Sequence, residues 1–199
     1  LAIDLSDSMR TVDMLAQGRP VNRLSVVKRQ LRQFVAQRAG DPLGLILFAD
    51  HAYLMAPLTS DWQTLQSFID ELDFSMAGYL TSIGEAIGLS IKRFSDEGSR
   101  QKLLILLSDG RDTVGSLSPV AAAKLAAAQQ MKIYTIGLGA EVPLDDPLAS
   151  GESNPAADLD EATLQQIANL TGGRYFRARD PESLAAIYQA IDELEPMET

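Results

Sequence analysis

Three short runs constrain this chain most: LGLILFA at 43–49, KLLILLS at 102–108 and IYTIGL at 133–138, each apolar at almost every position. A strand with one face in water alternates apolar and polar side chains, whereas a strand covered on both faces does not. The runs therefore predict a sheet buried on both sides, and the stretches between them must supply the cover. Leu24, Val27, Leu31, Phe34 and Val35 recur at helical spacing before the Gly40 and Pro42 stop. Leu65, Phe68, Ile69 and Leu72 form a second stripe, with Ser60 and Gln63 placed as a capping box. Ile83, Ile87, Ile91 and Phe94 form a third. Ser118-Pro119 and Asp180-Pro181 each set a cap residue before a proline at the first helical position, and a further helix is expected over 161–170. Leu1-Ala2-Ile3 reads as the end of another buried strand, 53–57 as a short edge strand closed by a proline, and Tyr175-Phe176 as a last short strand. The segment 9–21, with Gly18 and Pro20, reads as a loop. Buried strands alternating with amphipathic helices predict an α/β, doubly wound, mostly parallel sheet with right-handed crossovers.

The 199 residues, 46% hydrophobic and 22% charged, suit one such domain with a sizeable core. A formal net charge of −10 disfavours nucleic acid, whose binding needs clustered Lys and Arg, and equally disfavours docking on anionic lipid. The absence of cysteine removes disulfides, thiol catalysis and zinc–thiolate sites but leaves the compartment open. The basic positions Lys28, Arg29, Arg32 and Arg38 read as a solvated helix face, and the sole histidine, His51, as a surface residue in a turn. The polar stretch 140–158 holds Asp145, Asp146, Glu152 and Asp158 without regular ligand spacing, so its acids read as solubilising.

In an open parallel sheet the site lies outside the C-terminal ends of the strands, where strand order reverses. There the first strand runs into Asp4-Leu5-Ser6-Asp7-Ser8, which places oxygen-bearing side chains at every second position and so on one side of an extended segment. One carboxylate with two hydroxyls makes a poor catalytic triad and a good partial shell for a hard cation such as Mg²⁺. The strand LLILLS ends in Ser108-Asp109-Gly110, and Thr81-Ser82 precede a helix. If the first and LLILLS strands are neighbours, Asp4, Ser6, Ser8, Thr81 and Asp109 converge from three loops.

At these separations and on these elements, the three parts resemble the metal-ion-dependent adhesion site (MIDAS) of von Willebrand factor type A (VWA) domains, and the resemblance covers essentially the whole chain. It implies a Rossmann-like six-stranded sheet of order 3-2-1-4-5-6 with a short antiparallel edge strand. It also implies Mg²⁺ or Mn²⁺, with Ca²⁺ less favoured, held by the hydroxyls of Ser6, Ser8 and Thr81, while Asp4 and Asp109 act largely through water or switch with ligand state. The stretches YTIGLG at 134–139, TGGRYFRA at 171–178 and IYQAIDELE at 187–195 are similar to bacterial BatA and BatB aerotolerance proteins. That similarity implies a single domain, 1–199, of a longer membrane-anchored protein, on the periplasmic face of the inner membrane. Asp7 and Leu80 stand where the family commonly has glycine. Asp7 is expected to point away from the metal and make the rim more negative. Leu80 is expected to stiffen the threonine loop, with Ser82 as the fallback ligand.

Two carboxylates and neutral hydroxyls leave a divalent cation incompletely neutralised, so an open position would favour an Asp or Glu carboxylate from a partner protein. The expected function is thus a cation-dependent protein-interaction module and not an enzyme. A Mg²⁺-dependent phosphohydrolase is the alternative, although its usual second carboxylate would stand at Ser6 and a positioned lysine is missing. A metal-independent scaffold is the third reading.

Overall fold

The structure is a computed structural model that describes residues 1–74, 76, 78–97, 102–140 and 158–196. The buried runs become the inner strands of one six-stranded sheet. In chain order its strands are β1 (Ala2–Asp4), β4 (Leu43–Phe48), β5 (Ala52–Thr59), β6 (Lys102–Ser108), β7 (Met131–Leu138) and β8 (Tyr175–Ala178), arranged β5-β4-β1-β6-β7-β8. Without the separate hairpin described below, that is the 3-2-1-4-5-6 order. β5 is antiparallel and every other pairing is parallel.

The helices α1 (Arg23–Gln37), α2 (Trp62–Glu71), α3 (Ile83–Glu97), α4 (Pro119–Ala128), α5 (Glu161–Leu170) and α6 (Pro181–Leu194) cover the two faces. Alternation along the strands sorts the core. Ile3, Leu45, Leu47, Ile105, Leu107 and Ile136 pack toward the side of α1, α2 and α6, and Ala2, Ile46, Phe48, Leu104, Leu106 and Ile133 toward α3, α4 and α5. α4 meets its neighbours with Ala122, Ala123 and Ala126, all fully buried, which lets backbones approach closely.

β1 has three residues, yet it occupies the middle of the sheet. Ala2 pairs with both Ile46 and Leu106, and Ile3 with both Leu47 and Leu107. The crossover from β1 leads to one side of it and the later strands fill the other, so strand order reverses at its C-terminal end.

Three local features differ from the sequence reading. Residues 9–21 are not a plain loop: a 3-10 turn at Asp7–Arg10 leads into an antiparallel hairpin of β2 (Met14–Ala16) and β3 (Arg19–Val21). Its turn residues, Gln17 and Gly18, both have positive φ, a conformation glycine takes readily and glutamine rarely, and so the hairpin lacks the usual sequence signal. The cap of α2 is Asp61, whose carboxylate accepts the Thr64 N–H, and not Ser60. The basic face of α1 is only partly solvated, because Arg38 is buried against Asp41 and Asp192. The stretch 140–158, except for Ala140 and Asp158, lies outside the described residues.

Candidate functional site

Each proposed donor is set by a strand end or by the connection that follows it. Asp4, the last residue of β1, is fully buried; its Oδ1 accepts the Ser6 N–H at 2.8 Å and its Oδ2 accepts the Ser108 hydroxyl at 2.6 Å. Ser6 Oγ and Ser8 Oγ lie 3.0 Å apart, and Ser8 Oγ donates to Asp109 Oδ1 at 2.6 Å. Four of the five residues singled out from the sequence are therefore joined by an unbroken run of hydrogen bonds.

Thr81 arrives from the other side. Its N–H donates to Thr113 Oγ1 and its carbonyl accepts the Thr113 N–H, both at 2.9 Å, which stitches the loop before α3 to the loop after β6. Its Oγ1 faces Gly110, where an added Cβ would come within 3.5 Å of it. Asp112 strengthens the seam by accepting the N–H of Ile83 at 2.8 Å. Ser82, the alternative ligand, is buried, and its Oγ has no hydrogen-bond partner.

The electrostatics of the site are those of two buried carboxylates close together. Burial pushes the Asp4 carboxyl up to about 7, with the nearby Asp109 adding to the shift and bonds from Ser108 and Ser6 opposing it. Burial also raises Asp109, against the pull of the Arg23 guanidinium and the Ser8 hydroxyl. A bound divalent cation would reverse both shifts. The donors are hydroxyl and carboxylate oxygens, the chemistry of a hard cation, and an unpartnered buried hydroxyl lies beside them. Among the described residues no group of three or more His, Asp or Glu side chains is arranged to hold a metal, so any ion here must be held by a hydroxyl-rich shell. His51 stands apart, exposed beside Glu85.

Several residues that shape the site carried no sequence signal of their role. Asp50, just after β4, accepts the backbone N–H groups of Tyr79 at 2.9 Å and Leu80 at 2.6 Å. Gly78 has φ +115°, and a Cβ there would lie 2.4 Å from the Asp50 carboxylate. The threonine loop is thus held by Asp50 and Gly78, whatever stiffness Leu80 adds. Arg23, at the start of α1, is fully buried and donates to Asp109 Oδ2 at 2.8 Å. Asp7 is exposed and pairs with Arg10 at 2.8 Å, so the rim is less negative than its sequence suggests. Exposed apolar side chains also stand near this edge. Of nine large apolar side chains exposed among the described residues, six (Val12, Leu15, Tyr53, Met76, Tyr79 and Leu80) sit on segments near this edge of the sheet. A cavity of about 390 Å³ lies at the opposite edge, among Phe34, Leu43, Ala56, Phe94 and Leu103, away from every candidate ligand.

The family model for the von Willebrand factor type A domain matches residues 1–190. The chain belongs to that family. Among solved structures, this VWA domain is similar to the protein BatB from Bacteroides thetaiotaomicron, at 27% identity and a TM-score of 0.77, over 97% of this chain and 96% of that one. It is equally similar to an aerotolerance-related membrane protein from Bacteroides fragilis, at 26% identity and a TM-score of 0.77, over 96% and 94% of the two chains. A mussel byssus protein, proximal thread matrix protein 1, shares the fold at 21% identity, a TM-score of 0.71 and coverage of 97% of this chain and 44% of that one; its structure has a zinc-occupied MIDAS motif. The VWA domain spans 58% to 61% of the length of the first curated relatives it matches. No helix among the described residues is long and apolar enough to cross a membrane.

Proposed function

We propose that this VWA domain is a divalent-cation-dependent protein-interaction module. The observation that carries the reading is the hydrogen-bonded convergence of Ser6, Ser8 and Asp109 beside Asp4, at the point where strand order reverses. Ser6, Ser8 and Thr81 would hold Mg²⁺ or Mn²⁺ through their hydroxyls, with Asp4 and Asp109 acting largely through water. A cation held by these residues would supply an electrophilic position for an Asp or Glu side chain of a partner protein. Asp4 and Asp109 set the charge of the site, Ser108 orients Asp4, and Thr113 with Asp112 keeps the threonine loop against the loop that follows β6.

The exposed apolar side chains on segments near the edge support binding over catalysis, because protein surfaces cover such side chains on association. Phosphoryl transfer is less well supported. Ser6 stands where a second carboxylate is needed, and the cation nearest the acids, Arg23, is engaged with Asp13 and Asp109. Placement on the periplasmic face of a bacterial inner membrane, as one domain of a longer membrane-anchored protein, is proposed from the likeness to the Bacteroides membrane protein.

Titration calorimetry with Mg²⁺ and Mn²⁺, comparing the wild type with Asp4→Ala, tests the cation; equal affinity in the two proteins overturns the reading. Pull-down with and without EDTA, using the wild type and Asp109→Ala, tests the partner. Capture that survives both EDTA and the substitution would favour a metal-independent scaffold.

A further inference from the structure

Arg23 places a fixed positive charge directly beneath the candidate cation site. Its side chain is fully buried, and all its described bonds go to two carboxylates. Nε lies 3.1 Å from each Asp13 oxygen, Nη2 lies 2.6 Å from Asp13 Oδ2, and Nη1 lies 2.8 Å from Asp109 Oδ2. The surroundings are built for it. The Arg23 N–H donates to the Thr11 carbonyl at 3.1 Å, and Asp13 Oδ2 also accepts the Ala140 N–H at 3.1 Å. A Cβ at Gly139 would come within 3.0 Å of Nη2, so the end of β7 leaves room for the guanidinium. Asp109 thus has one oxygen committed to the arginine and the other to Ser8, on the side of the hydroxyl donors.

We infer that Arg23 is a resident counter-ion of the site. It positions Asp109 and offsets its charge whether or not a divalent cation is present, so that the cation binds reversibly to a folded domain and is not required for folding. The inference rests on the proposed cation site and concerns how tightly that site is tuned. A buried arginine paired with two acids could equally serve packing alone, and charge separates the two roles. If Arg23 acts as a counter-ion, removing it leaves Asp109 uncompensated, which destabilises the metal-free protein and strengthens its attraction for a divalent cation. Removing Asp13 has the opposite effect on cation binding, because the full charge of the arginine then falls on Asp109 and opposes the incoming cation. If Arg23 only packs, both substitutions loosen the site and weaken binding.

The test is Mn²⁺ titration calorimetry at pH 8 on the wild type, Arg23→Gln and Asp13→Asn, with thermal unfolding of each in EDTA and in excess Mn²⁺. Arg23→Gln is expected to bind Mn²⁺ at least about tenfold more tightly, to melt lower in EDTA, and to gain more from Mn²⁺ than the wild type does. Asp13→Asn is expected to bind several-fold more weakly, as a rough estimate. Equal or weaker binding by Arg23→Gln overturns the inference. Should that variant not fold in EDTA, circular dichroism in excess Mn²⁺ decides: recovery of the fold is expected, and failure to recover it overturns the inference, as does unchanged or tighter binding by Asp13→Asn. Absence of Mn²⁺ binding by the wild type would instead overturn the cation site itself.

Discussion

The loop that delivers Thr81 depends on one contact between a glycine and an aspartate, and its failure has a calculable size. Gly78 sits at φ +115°, and a Cβ built there lies 2.4 Å from Oδ2 and 2.7 Å from Oδ1 of Asp50. In Gly78→Ala the backbone conformation alone costs roughly 1–3 kcal/mol. The carboxylate must also retreat by about an ångström to restore an ordinary contact, which takes Oδ1 off the N–H groups of Tyr79 and Leu80. At a partly exposed position each of those bonds contributes about 1 kcal/mol, so the loop loses roughly 3–5 kcal/mol in all. Local release of the loop caps what global unfolding reports, and the site then loses the placement of Thr81, three residues on. Urea unfolding and Mn²⁺ titration of the wild type, Gly78→Ala, Asp50→Ala and the double variant form a cycle. Asp50→Ala removes both the bonds and the obstacle, so adding Gly78→Ala to it should cost only the backbone strain, giving a coupling of about 2 kcal/mol. All three variants should bind Mn²⁺ more weakly. Simple additivity, or a Gly78→Ala protein within about 0.5 kcal/mol of the wild type, would refute the clamp.

The raised carboxyl of Asp4 fixes a sign with pH. Folded Asp4 keeps its proton up to about 7 whereas the unfolded chain releases it near 3.8, so this residue's contribution to the stability of the EDTA-treated protein declines as pH rises from about 4 to about 7 and is flat above. Urea unfolding at pH 5, 6, 7 and 8 should show that slope in the wild type relative to Asp4→Asn; no difference between them would sink it. Protons and cations compete for the same carboxylate, so Mn²⁺ affinity measured by calorimetry should rise with pH up to about 7. Gly84→Ala would bring a Cβ to 1.8 Å from the Leu117 carbonyl oxygen. The backbone there has no easy retreat, and a loss of about 3 kcal/mol or more is expected in thermal unfolding.

The sheet was legible because its strands are buried on both faces. The runs at 43–49, 102–108 and 133–138 left no other home for so much apolar surface, and the helical stripes between them fixed parallel crossovers. The hairpin at 14–21 escaped because its strands are too short to show a pattern: β2 buries Met14 and Ala16 around an exposed Leu15, β3 carries Arg19 and Pro20, and its turn uses Gln17 at positive φ. Pattern reading needs several turns of a repeat, and three residues with one core side chain, Met14, supply none. The choice of Asp61 over Ser60 as cap is a one-residue shift that no periodicity resolves.

The candidate ligands were legible for a different reason. Asp and Ser cap helices and satisfy turns constantly, so Asp4, Ser6 and Ser8 stood out only in combination with Asp109 beyond its own strand and Thr81 before a helix. What restrains them did not stand out, because restraint is distributed over residues with ordinary local roles. Asp50 looks like a turn acid, Thr113 like a loop threonine and Arg23 like the first cation of an amphipathic helix. Only the closed sheet brings Arg23 to Asp109, 86 residues away, and Asp50 to the backbone of Tyr79 and Leu80. These second residues nevertheless decide what the site can do. A shell of hydroxyls and two acids would bind a cation in many geometries, while Asp50, Thr113 and Arg23 allow it few. An arginine fixed behind one of the two acids also leaves Asp4 as the carboxylate without an ion-pair partner of its own among the described residues. On the proposed reading, a cation held there would keep a net positive charge, and that charge would attract a carboxylate from outside the domain.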